Sequence, residues 1–104
     1  HQFCRVGTFA MIGGATKIRQ DCPPYMVVDM AGEGPRVAGP NVVGLQRAGF
    51  PAEVRSALKE AFKLIYREGL NRTQALERIK YEVVDLPEVR RLVEFYQKSQ
   101  RGVH

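Results

Sequence analysis

No apolar run in these 104 residues approaches the ~20 that a membrane-spanning helix needs, so no membrane span is expected. No signal peptide opens the chain, and no low-complexity run interrupts it. Cysteine and histidine are scarce, two of each. The histidines lie at opposite ends, as His1 and His104, so the four residues give no metal-site spacing, and neither metal nor cofactor is expected. The net charge is +5, but no block of consecutive basic residues carries it. Residues 1–50 hold five Lys/Arg against three Asp/Glu, and residues 51–104 hold eleven against eight. With no recognition motif beside it, this excess argues against nucleic acid. It suits a smaller anionic partner, a nucleotide-sugar or an acidic carrier protein. A starting Met is also missing, so the sequence is expected to be a fragment with residues upstream.

What is present is a period of six. Val6, Ile12 and Ile18 are in register; Gly7 and Gly13 follow the first two, and Cys4, Ala10 and Thr16 precede them by two residues. Such a period is neither helical nor a strand alternation. It marks the hexapeptide β-helix, where each hexad supplies one short strand and one corner. The branched residue points inward, and glycine takes a corner where a Cβ would clash or φ must be positive. Three hexads make one coil. On that count Cys4 and Cys22, eighteen residues apart, stack in successive coils. Both are read as free thiols filling the small-residue position, as suits a reducing compartment.

The hexads end at Asp21, and Cys22-Pro23-Pro24-Tyr25 reads as an exit corner because proline cannot donate to a ladder. Tyr25 to Val28 is expected to be one more short strand. Ala31 to Pro40 holds three Gly and two Pro, which reads as an exit loop, with a domain boundary near Asn41. The rest is helical. Asn41 is a candidate N-cap for a short helix that Gly49 stops. Pro51 starts a longer one with Val54, Ala57, Leu58, Ala61, Phe62 and Ile65 on one face, and Gly69 at its end. Asn71 or Thr73 caps a third, with Ala75, Leu76 and Ile79 as its apolar positions. Asp85-Leu86-Pro87-Glu88 reads as a capping box opening a fourth, with Val89, Leu92, Val93 and Tyr96 on its apolar face. The organisation is thus a last β-helix coil and exit loop over residues 1–40, followed by an α-helical domain over residues 41–104.

His1-Gln2-Phe3-Cys4, the hexads, Gln20-Asp21-Cys22-Pro23-Pro24-Tyr25, the Asn41 to Phe50 segment (Asn-x-x-Gly-Leu-x-Arg-x-Gly-Phe), Lys63-Leu64-Ile65-Tyr66-Arg67 and Arg101-Gly102 occur in order. Together they resemble the C-terminal part of the bacterial UDP-N-acetylglucosamine acyltransferases, the first acyltransferases of lipid A biosynthesis. The resemblance covers the whole chain. It implies a cytoplasmic homotrimer of left-handed parallel β-helices, each with an α-helical C-terminal domain and with active sites in clefts between subunits. The implied reaction moves a (R)-3-hydroxyacyl chain from acyl carrier protein to the 3-hydroxyl of UDP-N-acetylglucosamine, with a histidine as general base. That histidine belongs to upstream coils. No catalytic residue is assigned here, and the fragment alone is expected to be inactive.

By the same resemblance His1 and Gln2 contact substrate, as imidazole and amide both offer hydrogen bonds. Asn41 and Arg47 reach the nucleotide-sugar, Arg47 near the UDP, where a guanidinium fork suits phosphate. Gly14 and Met11 line the acyl groove, Gly14 leaving room for a longer chain. Lys17 and Arg19, and more weakly the helical Lys and Arg residues, are candidates for carrier-protein docking. Two other readings stay open: the same fold acting on another, amino-sugar nucleotide, and a non-catalytic module for trimerisation or carrier binding.

Overall fold

In the computed structural model, residues 3–104 are described; His1 and Gln2 lie outside them. Short parallel pairings set the first part of the architecture. Val6 bridges Cys22, and strand β1 (Met11–Ile12) runs parallel to β2 (Met26–Ala31), pairing Met11 with Val27 and Ile12 with Val28. These pairs are the rungs of a coil, and they keep the six-residue step, from Val6 to Ile12 on one rung and from Cys22 to Val28 on the next. The offset between rungs is sixteen, not eighteen. Cys22 therefore fills the branched-residue position over Val6, fully buried, and is not stacked on Cys4. The corners tighten the coil: Phe9, Ala15 and Tyr25 all take positive φ, at 56°, 58° and 64°. Phe9 and Tyr25 are themselves sixteen apart, so the same left-handed corner repeats, with the two rings stacked at 6.4 Å. Gly7 is required by close approach. A Cβ there would strike the backbone of Pro24.

The Gly/Pro-rich segment is not an exit loop. Gly34–Pro40 forms strand β3, antiparallel to β2, so that the sheet order is β1-β2-β3. Two facts reconcile this with its composition. Gly32 (φ +61°) sits first in the two-residue turn between Ala31 and Gly34, where a type II′ hairpin needs a positive φ. The prolines sit on an edge strand, where a missing N–H is tolerated. Ala38 is left unpaired in a bulge between the Val28–Val37 and Val27–Gly39 pairs.

Four helices follow: α1 (Val42–Arg47), α2 (Ala52–Tyr66), α3 (Arg72–Glu82) and α4 (Pro87–Lys98). Asn41 caps α1 by accepting from Gly44 N, and Gly49 (φ +83°) follows its end. Only Leu45 of α1 is buried, whereas Val42 and Val43 face outward. The expected face of α2 is buried in full, with Leu64 added. Asn71 caps α3 in a reciprocal box with Gln74. The expected box at Asp85 does not form. Pro87 forces the residue before it out of helical geometry, so Leu86 (φ −119°, ψ 152°) becomes the N-cap and Asp85 falls outside, near Arg90 at 3.4 Å. Helices α3 and α4 pack on α2, and one continuous apolar core runs from Cys22, Tyr25, Met26 and Val28 into Leu58, Ile79 and Leu92.

The chain then returns to its beginning. Gly102 (φ +86°) turns it, and Val103 bridges Asp21 in parallel. The Asp21 carboxylate, almost fully buried, accepts from Arg5 N (2.7 Å) and Ser99 Oγ (2.7 Å). His104 N donates to Asp21 O (3.0 Å), while its Nε2 accepts from the N–H groups of Arg19 and Gln20. Nearby, Tyr66 donates its hydroxyl to His104 O (2.6 Å) and shares a 2.5 Å hydrogen bond with Tyr96. Burial raises the pKa of both phenols.

Candidate functional site

Where the coil meets α1, a polar bolt crosses an aromatic corner. Asn41 Nδ2 donates to Phe9 O (3.1 Å), its Oδ1 accepts from Gly44 N (3.2 Å), and its backbone N–H donates to Tyr25 O (2.7 Å). The Phe50 ring meets Phe9 edge-on at 5.0 Å and Tyr25 at 6.1 Å. Arg91 of α4 donates to the Tyr25 hydroxyl (2.8 Å). The Asn41 amide thus spends one donor and one acceptor on the fold, and has one further N–H and one further lone pair.

Arg47 lies in the last turn of α1, exposed and without an ion-pair partner among the described residues. Met11 and Gly14 lie on the open side of the coil. Met11 is 53% exposed on β1, and a Cβ at Gly14 would meet nothing within 4 Å. The structure therefore brings Asn41 to the coil corner at Phe9 and leaves Met11, Gly14 and Arg47 presented outward. His1 and Gln2, the other expected substrate contacts, are outside the described residues.

Neither cysteine is engaged in a disulfide, and burial, with Cys4 nearby, raises the Cys22 thiol pKa. No cluster of His, Cys, Asp or Glu suited to a metal occurs among the described residues. Nor is any described helix long and apolar enough to cross a membrane.

A basic stripe on α2 falls outside any run of consecutive basic charges. Arg55, Lys59, Lys63 and Arg67 recur every fourth residue along α2 and its C-cap, and all four line one groove. Scanning basic residues at helical spacing, rather than for consecutive runs, finds it.

A family model described as UDP-N-acetylglucosamine O-acyltransferase, domain 2, matches residues 21–104. The chain belongs to the UDP-N-acetylglucosamine O-acyltransferase family. Among curated relatives, an acyl-(acyl-carrier-protein) UDP-N-acetylglucosamine O-acyltransferase of Anaeromyxobacter sp. (strain K) is 39% identical over 103 residues, covering 99% of this chain and 39% of the relative. One of the same name from Syntrophobacter fumaroxidans is 45% identical over 98 residues, covering 93% of this chain and 37% of the relative. Among solved structures, the UDP-N-acetylglucosamine acyltransferase of Bacteroides fragilis superposes with a TM-score of 0.94 at 38% identity, covering all of this chain and 40% of its own. That of Francisella novicida gives 0.88 at 37%, covering 97% of this chain and 37% of its own. The chain thus spans about two fifths of the length of the curated relatives it matches. Within the acyltransferase family its fold is the terminal coil of a left-handed parallel β-helix followed by an α-helical segment.

Proposed function

We propose that this chain is the C-terminal part of an acyltransferase that moves a (R)-3-hydroxyacyl chain from acyl carrier protein to the 3-hydroxyl of UDP-N-acetylglucosamine in lipid A biosynthesis. The family match over residues 21–104 carries the reading. In the parent, a cytoplasmic homotrimer, residues 1–40 form part of the substrate wall and residues 41–104 the helical domain that closes on it. Asn41, with its spare donor and acceptor, and Arg47, an unpaired cation, contact the nucleotide-sugar together with His1 and Gln2. Met11 and Gly14 border the acyl groove. The proton from the sugar hydroxyl goes to a base outside these residues.

The test is transfer itself. The full-length polypeptide, given a hydroxyacyl carrier protein and UDP-N-acetylglucosamine, is expected to form the O-acylated nucleotide-sugar by mass spectrometry, while the 104-residue chain forms none. Absence of product from the full-length polypeptide overturns the reading. Arg47→Ala in that polypeptide should raise the KM for the nucleotide-sugar about tenfold, as a lost charge-assisted hydrogen bond does; an unaltered KM removes Arg47 from the site.

A further inference from the structure

The groove along α2 combines apolar lining with four basic residues. Its volume is about 690 Å³; Pro40, Val42 and the buried Phe62 line it together with Arg55, Lys59, Lys63 and Arg67. Glu68 is the one acid that lines it. Two of the cations are fixed in place: Arg55 donates to Phe50 O (2.9 Å), and the Arg67 guanidinium lies 5.4 Å from the Phe62 ring centre. Lys59 and Lys63 are exposed and have no carboxylate within ion-pair distance among the described residues.

Elsewhere in the helices three cations are ion-paired, while Arg72 and Lys80 lie over aromatic rings and Arg91 is bonded to the Tyr25 hydroxyl. Arg78 pairs with Glu82 and Lys98 with Glu94 at i, i+4, and Arg90 with Asp85. On α2 every i, i+4 slot of the stripe holds another cation, an arrangement that destabilises a helix. A merely solvated face would not need it. The twelve steps from Arg55 to Arg67 rise about 18 Å, so the charges repeat once per turn over three turns. That spacing matches carboxylates on one face of a partner helix lying in the groove. A flat anionic membrane would meet the exposed lysines but not the buried Phe62.

We infer that the α2 groove is the docking surface for an acidic helix of the carrier protein that delivers the acyl chain. The inference rests on the acyltransferase reading above and adds the surface to it. Pro40 and Val42 flank Asn41, so a carrier seated here is held beside the segment proposed to bind the nucleotide-sugar.

The test is Lys59→Glu/Lys63→Glu in the full-length enzyme, with Lys59→Arg/Lys63→Arg as the conservative control. Both positions are exposed, so the variants should fold, checked by circular dichroism. With hydroxyacyl carrier protein the reversal should raise KM about 10- to 100-fold. The arginine variant should behave as wild type, and transfer from the corresponding pantetheine thioester, which has no protein to dock, should not change. An unchanged KM for the carrier, or an equal loss with both donors, overturns the inference. If the wild type transfers from neither donor, calorimetry with carrier protein alone separates the two ideas. Binding by wild type that the reversal abolishes supports the groove even though the acyltransferase reading has failed. Absent binding, or binding only to vesicles containing phosphatidylglycerol, refutes it.

Discussion

Asn41 was legible as an N-cap but not as a bolt, because its second partner, Phe9 O, is thirty-two residues away. Asn41→Ala removes both bonds and should lower unfolding free energy by about 1–2 kcal/mol. Asn41→Ser keeps a neutral N-cap acceptor for Gly44 N and loses only the donor to Phe9 O, so its loss in a urea titration should be smaller; equal losses would refute the division of labour. His104 acts at the other end of the coil. Burial and the Arg19 guanidinium lower its pKa, while Asp21 pulls the other way; Arg36 and Arg67 line the same hollow. Since Nε2 accepts from two backbone N–H groups, the neutral ring is the one that fits. With the folded value below the unfolded one, the unfolded chain takes the proton first as pH falls. The contribution is therefore complete above about pH 6.5 and is lost as pH falls through the folded value, by at most about 1.4 kcal/mol per unit. Between about pH 8 and pH 5 wild type should lose more stability than His104→Gln; parallel losses would sink the idea. Gly14 carries a different expectation. Because a Cβ there has open space, Gly14→Met should fold normally and, in the full-length enzyme, shift preference to shorter acyl chains; an unchanged preference would take Gly14 out of the groove.

Helix boundaries depended on which local rule prevailed. At α3 the sequence Asn71-x-x-Gln74 forms the reciprocal box, whereas at α4 the similar Asp85-x-x-Glu88 does not, because Pro87 moves the cap to Leu86. The consequence is measurable. Asn71→Ala should cost about 1 kcal/mol, as N-cap losses do. Asp85→Ala should cost less than about 0.5 kcal/mol, the worth of an exposed ion pair. Similar losses in the two variants by thermal melting would mean that Asp85 still caps. The apolar faces of α2 and α4 were readable because burial follows the 3.6-residue period directly. The β2–β3 hairpin was not, since Gly34-Pro35 and Gly39-Pro40 are turn pairs by composition. Only the edge position of β3 and the positive φ of Gly32 make them a strand. The basic stripe on α2 was hidden for the opposite reason: it is regular, but at a period that a search for runs passes over.

At the scale of the whole molecule, the six-residue step was visible because it is local, while the sixteen-residue coil depended on corners that bend through left-handed Phe9, Ala15 and Tyr25. The Asp21, Ser99 and His104 contacts that fasten the end of the chain to the coil had no sequence signal at all, being more than seventy residues apart. What remains open is the upper side of the coil. Phe3, Val6, Phe9, Met11 and Ile12 are all exposed, Val6 at 55%. Directly beneath Val6 and Ile12 lie Cys22 and Val28, both fully buried. Cys22 and Val28 are covered by the Val6–Ile12 rung and by the helical core, whereas no rung covers Val6 and Ile12 among the described residues. Each coil of a solenoid is stabilised by its neighbours, and β1 offers both unpaired backbone groups and apolar side chains to any strand that arrives. The 104-residue chain should therefore self-associate, its weight-average mass in sedimentation rising with concentration over about 10–100 µM. Met11→Lys/Ile12→Lys places two charges on that edge and should hold the chain monomeric across the same range with its helical content intact. A wild-type chain that stays monomeric, or a double variant that associates equally, would show that the open rung is not the sticky surface.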